Sequence, residues 1–205
     1  MATRRYEEVA VDPVLPAPRR RDAVETRERI LRAAGEAFAC AAGPPSFEEI
    51  ACRAGVSRAT IYRHFADRRA LGAAVIDRGL GALRQVGGMP FRDLLHTVLA
   101  TAAAMGGLAA LIEELPEPER RRAVRRLVDT LTPAFRRAQD AGELRGDVAP
   151  ADLGAILRAV RAAAGEPDGA AAAQRLLVVL LDGLFGPRAD GAEPCVWAPG
   201  LLVGK

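Results

Sequence analysis

Residues able to do covalent or metal chemistry are sparse. There are two histidines, His64 and His96, and three cysteines, Cys40, Cys52 and Cys195, in 205 residues. The cysteines show neither Cys-x-x-Cys nor Cys/His ligand spacing, and their odd number does not make a disulfide framework. They suit a reducing cytoplasm. No nucleophile elbow, metal-ligand cluster or phosphate-binding glycine loop accompanies them, so the sequence implies no enzyme, no metal and no cofactor. Cys52 could serve as a redox switch, but a bystander thiol is the plainer reading without a cationic neighbour arranged to lower its pKa.

The chemistry that remains is charge and hydrogen bonding. Residues 1–70 hold 13 arginines against 10 acidic residues, whereas residues 71–205 hold 16 basic against 16 acidic, so the whole net charge of +3 lies at the N-terminal end. A footprint for phosphate would have that asymmetry, and an arginine-rich composition also produces it by chance. The one lysine is Lys205, so cationic contacts in the folded part must come from arginine.

Positioning those groups falls to helices. Half the residues are apolar and only 4% are aromatic; an apolar content dominated by Ala, Leu and Val favours an all-α class. Residues 1–21, with Pro13, Pro16, Pro18 and then Arg19-Arg20-Arg21, read as a flexible basic arm. They carry no apolar run of a secretory signal. Apolar residues at Ile30, Ala34, Ala37, Phe38 and Ala41 predict a helix over about 23–42, stopped by Gly43-Pro44-Pro45. Ser46-Phe47-Glu48-Glu49 has the form of a capping box, with the Glu49 side chain reaching back to the Ser46 N–H. The helix it opens has Phe47, Ile50, Ala51 and Ala54 on one face and ends at Gly55. Ser57 caps a short third helix, Arg58 to His64, with Ile61 and Phe65 inward; Asp67 caps a fourth, striped by Leu71, Val75, Ile76, Leu80 and Leu83. Two short helices around a tight glycine turn make either a helix-turn-helix or an ordinary helical corner.

The wording of this stretch is more specific than its spacing. Ile50-Ala51-Cys52-Arg53-Ala54-Gly55-Val56-Ser57-Arg58-Ala59-Thr60-Ile61-Tyr62-Arg63-His64-Phe65, followed by Leu71, resembles the signature of the TetR family of bacterial regulators. The resemblance covers about a quarter of the chain, from the first helix to the start of the fourth. It implies a homodimer with each recognition helix in a major groove, and it maps DNA contacts onto Ser46, Ser57, Arg58, Thr60, Tyr62, Arg63, His64 and Arg68. Within that set Ser46, Tyr62, His64 and Arg68 are expected to anchor phosphates, and Arg58, Thr60 and Arg63 to read bases. For His64 a helix C-terminal cap and for Tyr62 a partly core role stand beside these. The family often has Thr at the position of Ser46 and Lys at that of Arg68; hydroxyl and charge are kept, while the geometry of the arginine contact differs.

In domain terms the sequence divides into the arm at 1–21, a helix-turn-helix domain at 22–69, a helical ligand-binding and dimerisation domain at 70–186, and a flexible tail at 187–205. Four helices are expected in the third part, over about 90–114 with a possible break at Gly106-Gly107, 118–141 with a kink or split at Pro133, 150–164 and 168–185. The uncharged run Leu94–Ile112 approaches membrane-spanning length but is mostly Ala, Gly and Thr, and reads as a buried helix. Asp140-Ala141-Gly142-Glu143-Leu144-Arg145-Gly146-Asp147 and Leu180-Leu181-Asp182-Gly183-Leu184-Phe185 also resemble the family, which implies a dimer interface formed by about 151–164 and 168–185. The stripe Leu176, Leu177, Leu180, Leu181 and Leu184 suits that interface, and an intrachain core gives the same pattern. A ligand pocket is expected inside 90–141, lined by His96, Met105 and Phe135; the small residues there equally fit close packing without a cavity.

The function these expectations imply is a cytoplasmic DNA-binding regulator, a dimeric repressor on a palindromic operator released by a small-molecule effector. The alternative is a constitutive DNA-binding protein without an effector pocket.

Overall fold

The computed structural model describes residues 20–40, 43–86 and 88–185. Within these residues the chain is all helix: α1 (Arg20–Cys40), α2 (Phe47–Ala54), α3 (Arg58–His64), α4 (Arg68–Gln85), α5 (Phe91–Ala104), α6 (Gly106–Glu113), α7 (Glu117–Asp140), α8 (Asp152–Ala164) and α9 (Gly169–Phe185). Residues 1–19 of the arm expected over 1–21, and the tail expected over 187–205, lie outside the described residues. Arg20 and Arg21 open α1 instead of closing the arm, with Asp22 in the first turn complementing the helix dipole.

Caps set the short helices. Ser46, in extended backbone conformation, accepts from the Glu49 N–H at 3.1 Å. The reciprocal half of the capping box is not made: the Glu49 carboxylate accepts from Arg53 Nη2 at 3.2 Å, because a Glu–Arg pair one turn apart competes for the same side chain. Gly55 ends α2 at φ 62°, where Val56 N–H reaches the Ala51 carbonyl at 3.1 Å and closes the last turn. Ser57 and Asp67 cap α3 and α4 by accepting from Thr60 N–H (3.1 Å) and Ala70 N–H (2.7 Å).

Two sequence expectations about the longer helices resolve differently. The uncharged run divides at Met105 into α5 and α6, whose axes differ by 77°. Among the described residues, no single helix is long and apolar enough to cross a membrane. In contrast, Pro133 does not split α7, which runs unbroken to Asp140. Both Pro133 and Asp129, the residue whose carbonyl loses its donor, are exposed, so solvent can satisfy what the proline cannot.

Side chains from these helices form two cores. The first gathers Ile30, Ala34 and Phe38 of α1, Ile50 of α2, Ile61 of α3, and Leu71 and Val75 of α4, and it also takes in Met105, Leu108 and Leu111 from the α5–α6 junction. The second joins α5, α7, α8 and α9 through Phe91, Leu95, Leu131, Phe135, Leu157, Val160, Leu177 and Leu181. Leu177, Leu181 and Leu184 of the leucine stripe are buried in this intrachain core, while Leu176 and Leu180 are half-buried.

Two glycines give opposite tests of this account. Gly55→Ala places a β-carbon on left-handed backbone and costs about 1–2 kcal/mol, whereas Gly81→Ala, in open space inside α4, gains about 0.5–1 kcal/mol. Thermal melts therefore move in opposite directions, by roughly 2–4 °C for each kcal/mol in a chain of this size; equal shifts of one sign contradict the assignment.

Candidate nucleic-acid interface

Helix α3 is anchored on one side and polar on the other. Ile61 is fully buried and Phe65 nearly so, while Arg58, Ala59, Tyr62 and Arg63 are exposed. That division follows from helical spacing, since positions 58, 62 and 59, 63 recur every four residues on the face opposite Ile61. The Tyr62 ring meets the buried Phe47 ring of α2 edge-on, with centroids 5.0 Å apart, which fixes α3 against α2 and leaves the phenol at the surface.

Five of the eight expected contact residues are tied into two hydrogen-bonded sets. Arg58 Nη2 donates to the Tyr62 hydroxyl at 3.3 Å and its guanidinium lies 5.6 Å from the Tyr62 ring centre. This hydrogen bond holds the Arg58 pKa above its ordinary value, so the group stays cationic. Because the phenol oxygen accepts from Arg58, its own O–H remains available to donate. In the second set, Ser57 Oγ and Thr60 Oγ1 are 2.8 Å apart and Arg63 Nη2 donates to Thr60 Oγ1 at 3.4 Å. The other three stand apart: Ser46 at the head of α2, Arg68 exposed at the head of α4, and His64 half-buried with its ring 6.4 Å from that of Phe65. Cys40 and Cys52 are both exposed free thiols.

Farther along the chain, α4, α5, α6, α7 and α8 line a partly open cavity of about 170 Å³. Of the three residues expected to line a pocket, Met105 does so; His96 and Phe135 do not. Phe135 is fully buried in the second core, its ring 5.6 Å from that of Phe91, and His96 is buried on α5. The cavity also extends past the expected 90–141 bundle, taking Val75, Ile76 and Leu80 from α4 and Leu157 and Arg161 from α8.

Two family models match the chain: that of the bacterial regulatory proteins of the tetR family over residues 30–75, and that of the C-terminal domain of SbtR-like transcriptional regulators over residues 87–185. Among solved structures, a TetR transcription regulatory protein from Mycobacterium vanbaalenii is 31% identical, with a TM-score of 0.57 over 82% of this chain and 99% of that one. The chain belongs to the TetR family. A second TetR regulator, from Streptomyces coelicolor, is 29% identical, with a TM-score of 0.56 over 78% of this chain and 98% of that one, and GusR of Salmonella enterica is 26% identical, with a TM-score of 0.51 over 80% and 97%. No curated protein sequence matches it.

As a TetR-family regulator the chain carries its DNA-binding helix-turn-helix in α2 and α3. Sequence reasoning missed Thr101 and Arg161 on the cavity wall. Arg161 did leave a signal: Leu153, Leu157 and Arg161 follow one another at four-residue spacing, which puts a cation on the stripe that α8 buries.

The double role of Tyr62 is separable. Tyr62→Phe keeps the edge-on contact with Phe47 and leaves stability within about 0.5 kcal/mol, whereas Tyr62→Ala loses the ring pair and about 0.5–1.5 kcal/mol. Urea denaturation checks both, and an equal loss in the two variants places the stabilisation in the hydroxyl instead.

Proposed function

We propose that the protein is a ligand-responsive repressor that binds a palindromic operator as a homodimer and leaves it when a small molecule fills the cavity. The observation that carries this reading is the position of α6. Leu108 belongs to the core beneath the helix-turn-helix and also lines the cavity, and Met105 just before α6 does the same. A ligand that moves this segment therefore acts on the packing of α1 and α4, and a change in packing there alters how the two recognition helices are presented. A constitutive DNA-binding protein would have no use for such a shared wall.

On DNA, α3 enters the major groove. Arg58, with its guanidinium at the exposed start of α3, reads base edges together with Thr60 and Arg63; Ser46, Ser57, Tyr62, His64 and Arg68 hold phosphates. Homodimerisation uses α8 and α9. Support comes from Val178 and Val179, apolar yet 47% and 67% exposed, and from Ala155, Ala159 and Ala162, an exposed stripe of small side chains on α8. Together they offer a second helix pair an apolar surface that can be approached closely. The site of action in this reading is the cytoplasm.

Selection of bound sequences from random DNA by the purified protein tests the reading directly. It should return an inverted repeat whose half-sites are about 34 Å apart or a multiple of that; recovery of no preferred sequence refutes it. Binding titrations on the selected site then separate the roles. Arg58→Ala should relax preference by about 1–3 kcal/mol at one base position, whereas Arg68→Ala should weaken all sequences alike and reduce the salt slope by about 1.

Val179→Glu buries charge in the proposed dimer face. Sedimentation should show a monomer with unchanged helix content, and a dimer that persists removes α9 from the interface.

A further inference from the structure

The wall of the cavity shared with α6 is apolar apart from three residues, Thr97, Thr101 and Arg161. Thr97 Oγ1 already donates to the Asp93 carbonyl at 2.8 Å. Arg161 is the unusual member, a guanidinium only 16% exposed at the inner end of α8. Its Nη2 donates to the Ala109 carbonyl at 3.2 Å and to Glu113 Oε1 at 3.1 Å, both on α6. Its Nε is fully buried and has no hydrogen-bond partner among the described residues. A buried N–H of a charged group without an acceptor carries its desolvation cost uncompensated.

Glu113 does little to cancel the charge. Its side chain is 65% exposed, and it is shared with Arg120, whose Nη1 lies 3.4 Å away. Water screens an exposed carboxylate that two arginines divide between them, whereas a guanidinium beside apolar walls keeps most of its field. A carboxylate is the group that both accepts from a guanidinium N–H and neutralises it. Size sets the rest of the molecule: an apolar cavity of about 150 Å³ holds one benzene ring, and this one measures about 170 Å³.

We propose that the cavity binds a compact apolar monocarboxylate of about one ring in size, its carboxylate beside the Arg161 guanidinium and its body against Val98, Leu108 and Leu127. This assignment rests on the reading of the cavity as the effector site and names the class of effector. Arg161 thereby discriminates acids from neutral molecules of the same shape. Its contacts with Ala109 and Glu113 place the bound carboxylate at the α6–α8 joint.

Calorimetry on the full-length protein at neutral pH, with benzoate, benzamide and toluene as probes, tests the assignment. Benzoate should bind at least tenfold tighter than either neutral probe, and Arg161→Met should remove that advantage while leaving toluene affinity unchanged. Equal binding of the three probes, no binding of benzoate, or a benzoate preference that survives Arg161→Met overturns the proposal. If Arg161→Met fails to fold, Ala102→Leu, which fills the cavity and leaves Arg161 in place, should abolish binding of both benzoate and toluene; benzoate binding retained in that variant overturns it as well. Benzoate binding is measured without DNA, so it can fail while operator selection succeeds, and the reverse result would count against the repressor reading alone.

Discussion

The close approach of α4 to α6 at Gly72 is the contact on which the rest of the molecule depends. A β-carbon at Gly72 would lie 2.5 Å from Leu111 Cδ2, so a larger residue there would have to push the Leu111 methyl aside. Leu111 is thereby seated in the core that also holds Ile30, Phe38 and Ile61, and α6 becomes a structural member of the DNA-binding half. The same seating leaves Leu108 and Ile112 to wall the cavity. Protein interiors pack like crystals and transmit displacement instead of absorbing it, so this one joint connects the cavity to the helix-turn-helix without a separate relay.

The arginine bias acquires meaning only when the cations are sorted by what they touch. Arg53 is engaged by Glu49, Arg78 by Glu28, Arg126 by Asp77, and Arg120 and Arg121 by Glu117. Most of these pairs are exposed and contribute little to stability, but they occupy the charge. Among the described residues, Arg58, Arg63, Arg68 and Arg69 form no ion pair with a carboxylate, and all four lie in or next to α3. Net charge therefore understates the positive surface at the helix-turn-helix. Arginines without a carboxylate partner also lie on α1, α7, α8 and α9, among them Arg29, Arg125, Arg158 and Arg175, so the four at α3 and the start of α4 stand out by their place beside the helix-turn-helix.

What could be read from the sequence was whatever local rules decide. Ser46, Ser57 and Asp67 each cap the helix they precede, and Gly55 takes the left-handed conformation that a tight turn needs, because a cap and a turn are settled within four residues. Glu49 escaped the local rule since two partners one turn apart compete for it, and Pro133 did so because its exposure removes the penalty that would have broken α7. The cavity lay beyond such reading. Its walls come from five helices, and His96 and Phe135 were chosen for their residue type, whereas lining is decided by how α4 and α8 close over α5 and α7. Arg161 was visible as a cation on a buried stripe, yet periodicity alone does not tell a buried charge from a helix edge.

A ligand shifts a conformational equilibrium only by the difference between its affinities for the two states. For a small occupant of a mostly apolar cavity, burial alone gives little difference, since apolar contact is non-directional and tolerates either arrangement of the walls. A directional bond to Arg161 is another matter. The guanidinium already bridges α8 to the Ala109 carbonyl and the Glu113 carboxylate at the end of α6, so a carboxylate drawn to it acts on the same planar group that joins these helices. The five donors of a guanidinium are fixed relative to one another, so a bound carboxylate and the Nη2 acceptors on α6 are both well placed only for some positions of α6. Coupling of the ordinary allosteric size, about 1–3 kcal/mol, needs no more than the gain or loss of one charge-assisted hydrogen bond between those positions. On the proposed reading the energy that distinguishes the two states is thus held in a polar contact, while the apolar walls supply affinity.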